Sequence, residues 1–102
     1  MGNYVFAYKG GGMARTEEER NAAMAAWGAW FQGLGDSVVD MGAPFGGSAA
    51  ATGNGAGGAA GSGLTGYSIV SASSLDDAVG KTGGCPVFAS GGSVDVYEAL
   101  EM

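Results

Sequence analysis

The chain contains no histidine, a single cysteine and only four basic residues among 102. Each scarcity closes off a class of chemistry. Without histidine there is no Ser-His-Asp or Cys-His triad, most zinc sites are ruled out, and the side chain that titrates nearest neutrality is missing. Cys85 has no partner for an intrachain disulfide, which agrees with a reducing compartment. Lys9, Arg15, Arg20 and Lys81 are scattered and outnumbered by ten acidic residues, for a net charge of −6. Nucleic-acid binders need clustered Lys and Arg to displace counterions, so composition argues against nucleic acid and against an anionic membrane surface as partners. No apolar run approaches the roughly 20 residues of a membrane helix. The opening residues show neither the basic region nor the apolar stretch of a signal peptide, and Phe6 stands where a myristoylation motif has Ser or Thr. A cytoplasmic address is the expectation. Any catalysis would rest on carboxylates, tyrosines, the lone thiol or backbone amides, with no cofactor or metal.

What is present suffices for one domain over residues 1–102, because 46% of the chain is hydrophobic and glycine, 22 residues, falls mostly in connections. Asn3–Lys9 reads as a strand stopped by Gly10–Gly12, with Tyr4, Phe6 and Tyr8 on one face and Val5 and Ala7 on the other. Apolar residues on both faces suit a central strand. Thr16-Glu-Glu-Glu19 is a capping box opening a helix, and its three carboxylates suit a helix N-terminus better than a cation site. Met24, Trp27, Phe31 and Leu34 recur at spacings of three and four, flanked by Ala23 and Trp30, and predict a broad stripe lying on the sheet. Gly33 and Gly35 end this helix.

Ser37–Met41 is a second strand, and Gly42–Gly46 a turn. From there to Gly63 the chain offers almost nothing large to bury. This Gly/Ala-rich insert, 46–63, is either a mobile flap or a poorly paired β-excursion, with mobility the expectation. Gly66–Ser71 is a third strand. Ser73 or Ser74, with Asp76 or Asp77, caps a short second helix whose apolar face is Leu75, Ala78 and Val79, and Cys85-Pro86 ends it. Ser93–Glu98 is a fourth strand, with Val94 and Val96 facing one way and Asp95 and Tyr97 the other.

The order is β-α-β, β-α-β. Right-handed crossovers predict a ferredoxin-like α+β fold: a four-stranded antiparallel sheet, order 4-1-3-2, with both helices on one face. The other face is bare, and with Tyr and Phe side chains available for it a lone chain exposes an apolar patch that a second copy covers. A homodimer is therefore expected.

Apparent motifs carry little. Gly53–Gly58 and Gly61–Gly66 both match G-x-G-x-x-G, but neither follows a strand and opens a helix. Gly80-Lys-Thr82 lacks the earlier glycine of a phosphate loop. Cys85, after a helix C-terminus, meets a dipole of the wrong sign for activation and reads as a packing thiol. Asp40 or Asp95, beside Tyr8 or Tyr67 on the open side of the sheet, are the weak candidates for a general base.

Several stretches together resemble the YCII-related family, small bacterial proteins with the dimeric α+β barrel fold. They are Tyr4–Tyr8, Met24–Phe31, Gly66–Val70, Ser74–Val79, Gly84–Val87 and Gly91–Glu98, in order and at consistent spacing across nearly everything except the insert. The resemblance implies a sheet-to-sheet dimer and a cleft between the sheet, the first helix and the loop after strand two. A histidine–aspartate pair suggested as an active centre in part of the family has no counterpart here. The Asp-Gly-Pro-Phe signature of a sister group is reduced to Pro44-Phe45. The leading expectation is thus a non-catalytic module binding a small apolar or aromatic molecule, with Tyr8, Trp30, Phe45 and Tyr67 as walls and Asp40 as polar anchor. The alternatives are a lyase or isomerase moving a proton with Asp40 or Asp95, and a purely structural or regulatory dimer.

Overall fold

Alternation along the first strand decides where the core lies. In the computed structural model, which describes residues 2–10, 16–58, 61 and 63–100, strand β1 (Gly2–Lys9) buries Tyr4, Phe6 and Tyr8 under the helices. Val5 and Lys9 are only partly covered on the opposite face, where Ala7, also buried, lies between them. Gly11 and Gly12, expected to stop this strand, lie outside the described residues.

Helix α1 (Glu17–Leu34) begins where Thr16 is extended and its Oγ1 accepts the Glu19 N–H at 3.0 Å. It ends at Gly35, whose N–H closes on the Phe31 and Gln32 carbonyls. After a 3-10 turn (Gly35–Ser37) comes β2 (Val38–Pro44), so Gly42, Ala43 and Pro44 belong to a strand and not to the expected turn. The insert contains a hairpin of two two-residue strands, β3 (Ala51–Thr52) and β4 (Gly55–Ala56), extended by reciprocal backbone bonds between Ala50 and the Gly57–Gly58 segment. Ala59, Ala60 and Ser62 of the insert are not among the described residues.

Strand β5 (Leu64–Ala72) follows, then α2 (Leu75–Lys81), a short α3 (Pro86–Ala89) absent from the sequence reading, and β6 (Ser93–Ala99). The α2 cap resolves the open choice. Ser74 Oγ accepts the Asp77 N–H at 3.0 Å, while Asp77 accepts the Ser73 N–H at 2.9 Å. That backbone bond, with help from Lys81, holds the Asp77 carboxyl below its ordinary range.

The four long strands form one antiparallel sheet, β2-β5-β1-β6, and the insert's strands pair only with each other. Among the described residues six strands are therefore present where four were expected. One sheet face packs under the helices through Phe6, Val70, Ala72, Ala78, Cys85 and Val87. By register the other face carries Val5, Ala7, Tyr67, Ile69 and Tyr97, interleaved with Asp95, Lys9 and Ser71. Phe6 and Tyr8 are thus on the covered side, and the bare face is more polar than expected. Its aromatic content comes from Tyr67, Tyr97 and Phe45.

Candidate functional site

Helix α1 meets the sheet at one end only. Its C-terminal half is anchored by Trp30, which is buried against Phe6 with its indole N–H donating to the Gly83 carbonyl at 3.2 Å. One turn earlier Trp27 is half-buried and stands edge-on to Tyr8, ring centroids 5.0 Å apart. Earlier still the helix stands clear of the sheet, and Met24 is 69% exposed. The predicted stripe therefore covers the sheet along only half its length.

The space so left is a cleft of about 460 Å³ between α1 and the β1-β5-β2 surface. Met24, Trp27 and Phe31 form its helical wall, Met41 and Pro44 its β2 wall, and Tyr8 its floor, with Arg20 at the outer rim. Carbon surface dominates, as in pockets for small organic molecules.

The floor carries one hydrogen-bonded chain. The Tyr8 hydroxyl donates to Ser68 Oγ at 2.8 Å, and Ser68 donates to the Met41 carbonyl at 2.7 Å. Burial pushes the Tyr8 phenol up to about 12, the Ser68 bond opposing the shift only in part. At neutral pH Tyr8 is therefore a protonated phenol whose proton is committed, with its oxygen lone pairs still able to accept.

The β2 wall is shaped by an irregular register between Val38 and Ala43. Gly42 has φ +76°, and a Cβ there would run into the Tyr67 carbonyl. Only glycine lets the two backbones approach this closely. Asp40 fixes the bend through its Oδ1, which accepts the Gly42 N–H at 2.8 Å.

The residues singled out from sequence do not converge. Tyr8 is in the cleft. Tyr67 borders it, but strand alternation from buried Ser68 sends its ring to the bare face, where it stacks on Phe45 with centroids 5.9 Å apart. Asp40 is also exposed on that side, its Oδ2 3.5 Å from the Tyr67 hydroxyl. Neither Phe45 nor Asp40 lines the cleft, and Trp30 is a core residue, with Trp27 taking the wall position assigned to it. Tyr8, paired with these aspartates in the sequence reading, faces the helices instead. Asp95 lies apart, in an ion pair with Lys9 at 3.0 Å, beside a shallow groove between α2 and β6.

Met24, Trp27, Phe31, Met41 and Ser68 were not assigned to the site from sequence. The first three were visible as a stripe, but periodicity does not say which part of a stripe stays uncovered. Cys85 is a packing thiol, more deeply buried than the half-buried position expected; that burial pushes the thiol up, and it precedes α3 as well as following α2. Among the described residues no three His, Cys, Asp or Glu side chains gather in a metal-binding group, and no helix is long and apolar enough to cross a membrane. Comparison with protein families, with curated proteins and with solved structures finds no match to this chain.

Proposed function

We propose that the protein binds a small aromatic or apolar molecule in the cleft under α1, as a cytoplasmic homodimer of the YCII-related kind. The observation that carries this reading is the cleft itself: about 460 Å³, walled by carbon surface, with one ordered phenol at its floor. The long strands and helices follow each other in the ferredoxin-like sequence βαββαβ, which supports the family assignment. Val5, Ile69, Tyr67 and Tyr97 on the bare sheet face support pairing with a second copy.

The cleft can be closed without disturbing the core. Gly28 lines it from mid-helix and a Cβ there meets nothing within 4 Å. Gly28→Leu should thus fill the cleft while improving helix propensity. With 2-naphthol, an uncharged aromatic probe at neutral pH, calorimetry should give saturable binding to the wild-type chain and none to Gly28→Leu. No binding to wild type, or equal binding to both, sinks the reading. Sedimentation equilibrium should give twice the chain mass.

A further inference from the structure

From the charge at the rim of the cleft, we infer that the favoured ligand is an aromatic monocarboxylate whose anionic end sits on Arg20. The inference rests on the cleft being a ligand site and adds the class of ligand. Among the described residues there are three cations. Lys9 is engaged by Asp95 at 3.0 Å and Lys81 by Asp77 at 3.9 Å. Among the described residues Arg20 has no ion-pair partner, and of their cations it is the one that lines the cleft. A guanidinium presents a planar fork of donors that matches the two oxygens of a carboxylate.

Position and charge narrow the class further. The cleft runs along α1 from Arg20 to Phe31, about 16 Å at the helical rise. A ring body held beside Trp27 and Phe31 can therefore reach the rim with a substituent on its long axis. The chain as a whole carries −6, and Glu17 to Glu19 immediately precede Arg20 in the first turn of α1. A dianionic group would leave one charge uncompensated in that field, whereas a single carboxylate is matched by a single guanidinium. At physiological ionic strength acidic residues beyond about 8 Å are screened, which leaves Glu17 to Glu19 as the charges a bound carboxylate has to outweigh through its contact with Arg20.

A matched pair of probes separates this inference from the cleft reading: 2-naphthol and 6-hydroxy-2-naphthoate, which differ only by the carboxylate. Calorimetry on the wild-type chain should show the naphthoate binding about tenfold more tightly than the naphthol, the scale of one charge-assisted contact at a solvated rim. In Arg20→Gln that ratio should fall to near one, and in wild type it should shrink as salt rises. Equal affinities in wild type, or a ratio that survives Arg20→Gln, overturn the carboxylate assignment and leave the cleft standing. If neither probe binds, the cleft reading falls and the carboxylate assignment falls with it.

Discussion

Both halves of the sheet carry helix on the same face, yet the two helices sit differently. In the second half α2 places Ala78, fully buried, against the sheet, while Leu75 and Val79 are about half exposed at its sides. In the first half α1 presents Trp27, Trp30 and Phe31. Interhelical and helix–sheet spacing is set by the side chains at the contact. A methyl group lets α2 settle, whereas a cluster of rings concentrated near one end of α1 props up the other. The cleft is the product of that asymmetry. Two β-α-β units of similar plan differ in the hollow they leave, a carbon-walled cleft under α1 and a more open, mixed groove between α2 and β6, because of where bulk falls along a helix.

The sharpest way to break the comparison is to remove the prop. Trp30→Ala deletes a buried ring and its bond to Gly83, and should cost about 3–5 kcal/mol by urea denaturation. Trp27→Ala should cost markedly less, because Trp27 is half-exposed, and should weaken 2-naphthol binding instead. If the two substitutions cost the same, the two ends of α1 are not distinct in the way described. Next in size, Gly42→Ala attacks the opposite wall. The left-handed backbone and the approach to the Tyr67 carbonyl should make it cost about 2–3 kcal/mol. A neutral outcome would mean that the β2 bend is not needed to form that wall.

The smallest effect probes the floor. Tyr8 is raised from 10.0 to about 12, so the folded state keeps a proton that the unfolded state loses. Its contribution is complete below pH 10 and declines as pH rises from 10 towards 12. Spectrophotometric titration should show a tyrosine step near pH 12, and Tyr8→Phe should remove that step. The same substitution should cost about 1 kcal/mol at neutral pH through its lost bond to Ser68. A titration with no late tyrosine would place the phenol in water.

Much of this architecture could be read from residue pattern, because strand alternation and helix caps are local. Tyr4–Tyr8, the Thr16 cap and the Val94/Val96 face are of that kind. The site was harder. Which of Trp27 and Trp30 is core depends on the Gly83 carbonyl that takes the Trp30 indole N–H, a contact spanning 53 positions. The β2 bend gave no signal beyond Gly42 itself, since its need for glycine comes from the Tyr67 backbone. Asp40 looked like chemistry because its strand was expected to set it on the open side of the sheet beside Tyr8 or Tyr67. Its visible work is to hold the Gly42 N–H.

The Phe45 N–H already donates to the Thr65 carbonyl at 2.8 Å, immediately before the chain departs on its Gly/Ala-rich excursion. Antiparallel neighbours paired to that point need only a tight two-residue connection. Residues 46–63 are thus replaceable in principle by such a connection without altering a single rung of the main sheet. The same spot would accept a cut, new termini or a grafted domain, and the length of this loop is free to drift while both walls of the cleft stay where they are.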